Sequence, residues 1–446
     1  MNTMQHIMKD SGVEWIGKMP KHWSCVPMKF MLNERNQKID PVVTSERLSL
    51  SIDIGVTLYA EKKTNLDRFK EDVSQYKVAH AGDLVLNSMN MIVGAVGIAP
   101  LTGCVSPAYY VFYDTDDSHT VTKFCNYIFK NKRLRGCLFS LGQGIMAIDR
   151  GDGRVNTCRL KVSREDLGRI MLPCPAIEEQ RKIISFLDKK CAVIDDIIAE
   201  AKASIDDYKA WKASVIFEAV TKGLNPDAEM KDSGVDWIGK IPKGWKIISL
   251  RYFGTCQNGI SKGGESFGYG FPFVSYPDVY KNITLPEEVS QLVDSTRDER
   301  ERYSVKYGDI FFTRTSETIE EIGFSSVCLK TIENATFAGF LIRFRPTNNQ
   351  LFPGYSKYYF RSEIQRRYFV KEMVLVTRAS LGQTLLKSMP VILPPVEEQT
   401  AIAAYLDDKC ATIDAVIAEK ESLIAELETY KKSLIFETVT GKRRIC

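Results

Sequence analysis

A sixteen-residue stretch occurs twice in this chain, nearly letter for letter, and the sequence between the copies differs. MKDSGVEWIGKMPKHW (Met8 to Trp23) returns as MKDSGVDWIGKIPKGW (Met230 to Trp245), changed only at Glu14/Asp236, Met19/Ile241 and His22/Gly244. A second pair follows without a gap: EEQRKIISFLDKKCAVIDDIIAE from Glu178 matches EEQTAIAAYLDDKCATIDAVIAE from Glu397, and SVIFEAVT at Ser214 matches SLIFETVT at Ser433. The offsets are 222 and 219 residues, so the order is motif, variable block, helix, repeated once. A frame kept twice around divergent inserts implies a pseudo-dimer that presents two different surfaces.

The helical parts carry an apolar seam with 3-4 spacing. In the first copy it runs through Leu187, Cys191, Ile194, Ile198, Ala201, Ile205 and Tyr208, and in the second through Leu406, Cys410, Ile413, Ile417, Lys420, Ile424 and Leu427. This is a coiled-coil pattern, bounded by Pro173 and Pro175 or Pro394 and Pro395 before it and by Gly223 or Gly441 after it. About 44 helical residues would span roughly 65 Å. Two such helices, each with one apolar seam, are expected to pair with each other. Lys212 and Lys431 interrupt the seams at matching positions, where they either set the helix register or are tolerated lysines whose stems lie along the seam, the second being the preferred reading.

The variable blocks have a different texture. Short apolar runs bounded by Gly, Pro, Asn and Asp predict strands at Asp83–Leu86, Tyr109–Tyr113, Asp309–Phe312 and Phe340–Phe344, with shorter helices at Thr122–Arg135 and Tyr355–Val370. The blocks share little beyond Tyr76-x-Val78 leading to Gly82-Asp83, echoed by Tyr303-x-Val305 leading to Gly308-Asp309, where Gly-Asp reads as a turn into a strand. SLGQ occurs at Ser140 and at Ser380, but at different distances from the following Glu-Glu-Gln, as a coincidental match would. The uncharged stretch Leu84 to Tyr113 is long enough to raise a membrane span, yet its glycines, prolines and asparagines fit buried strands joined by turns better.

Several chemistries lack their residues. Gly12 to Lys18 has phosphate-loop spacing, but Met19, and Ile241 in the other copy, replace the hydroxyl that would hold magnesium, and Trp and Ile fill the loop. An anchoring role for Trp15, Ile16 and Trp23, and for Trp237, Ile238 and Trp245, is expected instead. The eleven cysteines show no C-x(2-4)-C spacing and all four histidines lie in the first half, which speaks against a zinc site and for reduced thiols in the cytoplasm. Met1 to Asp10 has no secretory apolar run. No adenine-methyltransferase motif, nucleophile elbow or metal-binding histidine pair is present, so no catalytic and no metal-binding residue is assigned.

A formal charge of +4 does not by itself argue for nucleic acid; any basic surface must be local. Base reading asks for Arg, Lys, Asn, Gln and Ser on loops held by a rigid scaffold. The first block offers Lys62, Lys63, Asn87, Asn90, Gln143, Arg150 and Arg154, and the second offers Lys262, Arg314, Ser316, Arg378, Ser380 and Gln383. Each of these side chains would serve equally well in a solvated turn. The basic runs Lys130 to Arg135 and Arg361 to Lys371 are divided in the same way between phosphate contact and a plain solvated face.

The chain resembles the DNA-specificity (S) subunits of type I restriction-modification systems along essentially its whole length. The resemblance rests on the doubled Trp-Ile-Gly-Lys-x-Pro-Lys-x-Trp, the Pro-x-x-Glu-Glu-Gln before each long helix, the Leu-Asp-x-Lys-Cys-Ala-x-Ile-Asp heptads and Gly270 to Tyr276. It implies an α+β fold: two α/β target recognition domains separated by two long helices that form an antiparallel coiled coil, with pseudo-two-fold symmetry between the halves. The expected divisions are 1–172 and 224–392 for the recognition domains, with 173–223 and 393–446 for the helices. It further implies that each block reads half of a bipartite asymmetric site on double-stranded DNA, while the helices set the spacer and dock two modification (M) methyltransferase subunits. S-adenosylmethionine, ATP and Mg would be bound by partner subunits, restriction (R) subunits included where present, and no cofactor by this chain. A cytoplasmic, non-catalytic protein with no membrane partner is expected. A coiled-coil scaffold with two protein-binding domains would share the repeat and the helices.

Overall fold

The structure, a computed structural model, describes residues 7–38, 46–61, 75–114, 120–145, 159–316, 321–372 and 379–445. The chain divides into two compact units. One comprises residues 1–201 and 422–446, the other 202–421, so each unit holds one variable block, the first half of one long helix and the second half of the other.

In the first unit the repeated motif forms a hairpin, Met8–Asp10 antiparallel to Lys18–Pro20. Its turn uses glycines at positive φ, Gly12 (70°) and Gly17 (64°), where a side chain would be strained. The amides of Gly12 and Val13 donate to Asp10 Oδ1 (2.9 Å) and Ser11 Oγ (3.1 Å), so they are not free to cradle a phosphate. Trp15, Ile16 and Trp23 are buried.

The block that follows is built on a four-stranded antiparallel sheet of β1 (Asn33–Glu34), β2 (Leu84–Asn87), β3 (Val96–Ile98) and β4 (Tyr109–Tyr113), in the order β1-β4-β2-β3. Leu84 and Leu86 turn toward a core made with α1 (Thr120–Phe129) and α2 (Lys132–Leu141), while Val85 and Val111 join a smaller core on the other face. The predicted single helix Thr122–Arg135 is two helices, because the Asn131 side chain accepts from Arg133 N at 2.7 Å and caps the second. After α3 (Arg164–Arg169), Met171–Cys174 pairs with Ser24–Pro27, which brings the two ends of the block side by side.

The second unit repeats this plan with other residues. Met230–Asp232 pairs with Lys240–Pro242, and Gly234 N again donates to Asp232 Oδ1 at 2.9 Å. Its four-stranded sheet consists of β5 (Gly254–Asn258), β6 (Ile310–Thr313), β7 (Ser325–Val327) and β8 (Leu341–Pro346), in the order β5-β8-β6-β7. Helices α4 (Pro353–Tyr359), α5 (Glu363–Glu372) and α6 (Gln383–Ser388) follow, and Pro390–Leu393 closes on Lys246–Ser249. The expected helix Tyr355–Val370 is therefore also broken, at Phe360–Ser362. Blocks that share almost no sequence thus have the same strand order.

The Gly-Asp echo has a physical basis. Asp83 and Asp309 are fully buried, and each accepts from the amide three residues earlier, His80 N (2.8 Å) or Lys306 N (2.7 Å), while Gly82 and Gly308 turn at φ 87° and 86°. Arg35 neutralises the first (Nε to Oδ2, 2.7 Å) and Arg345 the second (Nη2 to Oδ2, 2.6 Å), from different strands of the sheet or its flanks.

The long helices run Ile177–Lys222 and Val396–Val439. The Gln of each Glu-Glu-Gln is buried, and its side-chain amide donates to a proline carbonyl five residues back: Gln180 to Pro175 O and Gln399 to Pro394 O, both at 2.9 Å. Leu187, Ile194 and Ile198 are buried in the first unit, with Ile424 packed at the margin; Leu406, Ile413, Ile417 and Ile205 are buried in the second. An aspartate of each helix also holds its block: Asp188 accepts from Tyr127 Oη, and Asp407 from Tyr358 Oη at 2.7 Å.

Lys212 and Lys431 each form an ion pair with the other long helix. Lys431 Nζ lies 2.6 Å from Asp195 in the first unit and Lys212 Nζ 2.6 Å from Asp414 in the second, each bridging the two helices. In the second unit Lys420 also lies over the Tyr208 ring (5.7 Å), an order that requires antiparallel helices. The residue numbers of the two ion pairs add to the same value, so both units hold one register. Both lysine side chains are 27% exposed, and each ammonium meets one aspartate of the other helix. Lys431→Glu should cost about 0.5–1 kcal/mol, small because these groups are partly solvated, and adding Asp195→Lys should restore it. A double-mutant cycle in urea with zero coupling would refute a register role.

Candidate nucleic-acid interface

Arg314, Ser316, Ser380 and Gln383 are brought together at one edge of the second unit. The strand β6 continues past Thr313 into a two-residue ribbon, where Thr315 and Ser316 pair with Ser380 and Ala379. Arg314 N donates to Phe340 O (2.9 Å), and Arg314 O accepts from Leu381 N (2.8 Å), so the backbone at Arg314 is fixed on both sides. Tyr276 Oη holds the ribbon by donating to Thr315 O at 2.9 Å. At the next position Gln383 Nε2 donates to Asn258 Oδ1 (2.9 Å), which orients both amides at the end of β5. Gly259 has to be glycine, since a Cβ there would stand 2.2 Å from the carbonyl oxygens of Phe337 and Ala338.

Lys262 approaches the same edge through the Ile260–Ala338 bridge, but its ammonium is bound to Glu299 (2.7 Å) and holds that carboxyl below its ordinary range. Phe340, predicted as part of a strand, lies just before β8 and is 64% exposed. Sequence periodicity did not mark it out; a glycine before an apolar run was its only signal. The rigid edge therefore carries a guanidinium, two hydroxyls, a bonded amide pair and an aromatic face.

In the first unit the candidates gather more loosely. Asn87 ends β2 and its Oδ1 accepts from Met89 N (3.1 Å), while Asn90 precedes the turn Met91–Val93. Gln143 opens a strand that pairs with Arg159–Lys161, and a Cβ on the adjacent Gly142 would lie 3.2 Å from Ile92. The Asn87–Asn90 loop and Gln143 are thus neighbours, buttressed by Arg135, which donates to Val93 O at 2.8 Å. Lys62, Lys63, Arg150, Arg154 and Arg378 lie outside the described residues. SLGQ occupies different places: Ser140 ends α2 before a strand, and Ser380 lies in the ribbon before α6.

The basic runs divide in the structure. Arg361 donates to the carbonyls of Val279 (3.2 Å), Ser325 (3.0 Å) and Tyr280 (2.6 Å) and stacks on Phe324. Arg366 donates to Ile322 O, and burial lowers both guanidinium pKa values. Arg133 lies over the Phe436 ring at 4.4 Å and Arg367 bonds Glu363. Arg361 and Arg366 are thus turned inward to carbonyls, whereas Arg133 and Arg367 remain exposed.

Burial pushes the thiol pKa of Cys328 up to about 12 and that of Cys256 to about 11, leaving them poor nucleophiles and ligands. Among the described residues no group of three or more His, Cys, Asp and Glu side chains could hold a metal ion, and no helix is long and apolar enough to cross a membrane.

Residues 242–428 match the family described as the type I restriction modification DNA specificity domain. The type I restriction enzyme EcoKI specificity subunit of Escherichia coli (strain K12) is 24% identical over 64% of this chain and 60% of its own length. The MjaVIII specificity subunit of Methanocaldococcus jannaschii is 25% identical over 64% of each chain. The match thus spans less than two thirds of either relative. Among solved structures, one described as the structural basis of complex assembly and conformational transition of the type I R-M system contains a chain with a TM-score of 0.70 and 16% identity, covering 95% of this chain and 99% of that one. The HsdS subunit from Thermoanaerobacter tengcongensis gives a TM-score of 0.50 at 14% identity, with 95% and 98% covered. These two similarities speak to the fold.

Proposed function

We propose that this chain, which belongs with the specificity subunits of type I restriction-modification systems, reads a bipartite DNA target, one half with each variable block. The observation that carries this reading is the edge in the second unit: Arg314, Ser316, Ser380 and the Gln383–Asn258 pair on a backbone hydrogen-bonded on both sides. Arg and Gln make paired hydrogen bonds to guanine and adenine, and rigid placement is what turns such bonds into discrimination. The corresponding edge of the first unit offers Asn87, Asn90 and Gln143, so the two half-sites would differ.

In this reading the long helices, fixed in one register, set the distance between half-sites and dock two modification subunits. Those subunits would bind S-adenosylmethionine and methylate adenine; restriction subunits, where present, would use ATP and Mg. The chain itself would supply the address in the cytoplasm and no chemistry.

The test is a methylation assay with purified chain and modification subunits on a pooled DNA library. Methylation should need both proteins. Arg314→Ala should lower discrimination at one base pair by about 1–3 kcal/mol, roughly 5- to 150-fold, and leave the other half-site unchanged. A uniform loss across all sequences would reduce Arg314 to a phosphate contact, and methylation by the chain alone would make it an enzyme.

A further inference from the structure

The repeated frame forms a cleft in each unit, and the two clefts are chemically unlike. That of the second unit, about 420 Å³, contains Trp245, whose Nε1 donates to Glu398 Oε2 at 2.8 Å. That of the first, about 470 Å³, has Trp23 in the same place, 2% exposed, and Glu179 in the place of Glu398. There Glu179 Oε2 lies 3.2 Å from His22 Nε2, and Trp23 Nε1 is buried with no acceptor among the described residues. Position 22 is glycine in the second copy, Gly244, which has nothing to draw the carboxylate away.

A buried indole N–H without an acceptor is costly, and the other copy shows what satisfies it in this frame: a carboxylate. The surrounding charge agrees. Lys21, Lys182 and Arg444 line the first cleft and form no ion pair among the described residues; Arg443 is shared with Glu437. Among the described residues lining this cleft Glu179 is the only carboxylate, so several cations there lack a counter-charge that a run of carboxylates would supply.

We propose that the cleft of the first unit binds an acidic peptide segment of a protein partner, one carboxylate accepting from Trp23 Nε1 and others meeting Lys182 and Arg444. His22 keeps the site open by holding Glu179 aside. This assignment uses neither recognition edge and stands apart from the DNA reading.

The full chain, labelled with ¹⁵N-tryptophan, has five indole resonances, and Trp23 is identified by its loss in Trp23→Phe. Hexaglutamate should shift the Trp23 indole downfield and saturate, while hexaglutamine should not. Lys182→Glu or Arg444→Glu should weaken binding about tenfold, as expected for loss of a charge-assisted contact. His22→Gly recreates a residue this frame already tolerates in its other copy; it should return Glu179 to the indole and weaken the peptide by about the same factor. Unchanged affinity in His22→Gly, or no shift with hexaglutamate, overturns the proposal. Equal affinity for free glutamate would mark a small-anion site instead. A shift caused by duplex DNA, with the same dependence on Lys182 and Arg444, would mark a phosphate contact.

Discussion

On the proposed reading, replacing residues 24–171 with the corresponding block of a type I specificity subunit is expected to change one half of the methylated sequence and leave the other half as it was. The first strand of the block, Ser24–Pro27, pairs with Met171–Cys174, of which the exchange carries only Met171, so the incoming strand has to pair with resident residues 172–174 through backbone hydrogen bonds that do not depend on side chains. The incoming block also has to rebuild a shared core, because Phe124 and Ile128 of α1 lie in one cluster with Trp15 and Trp23 of the hairpin and Ile183 and Leu187 of the first long helix. Side-chain contacts with the helices have to be kept as well: Tyr127 donates to Asp188, and Arg133 lies over the Phe436 ring. Sequencing of modified sites gives the result directly. If both half-sites change, the blocks do not read DNA independently and the modular reading fails.

Asp309→Ala should destabilise the second unit by about 3 kcal/mol. The carboxylate is 1% exposed and takes hydrogen bonds from Arg345 Nε and Nη2, both 2.6 Å, and from Lys306 N, 2.7 Å. Removing it leaves the turn amide without its acceptor and a guanidinium, 26% exposed, without its counter-charge. Partial solvation and the remaining contacts of Arg345 with Ser304 place the expected cost at the low end for a broken buried pair. Asp83→Ala should act alike in the first unit through Arg35 and His80 N. Each unit has its own core, so calorimetry of the full chain should show one transition fall and the other stay. A loss below about 1 kcal/mol would mean that the aspartates are not what holds these turns.

Much of the frame was legible because its signals are local. A 3-4 apolar spacing defines a helix face wherever that helix ends up, and the proline and glycine boundaries placed both long helices to within a residue or two. The Gly-Asp turn was legible because glycine at positive φ and an aspartate capping an amide act over three or four residues. The broken short helices were not, since Asn131 caps only when the chain bends there, which packing against the sheet decides. The candidate site was legible in part: Arg314 and Ser316 stand 64 or more positions before Ser380 and Gln383, and only strand pairing makes the two groups neighbours.

Repetition and periodicity survive in one dimension, so the doubled frame, its two different inserts and its two long amphipathic helices can be read from residue order alone. Tertiary structure alone decided that the inserts share one strand order, that Lys212 and Lys431 meet aspartates across the helix pair, and that Arg361 and Arg366 turn inward to carbonyls. Which strand lies beside which, and whether a cation meets a carboxylate, a carbonyl or water, depends on contacts between residues far apart in the chain, and only packing sets those.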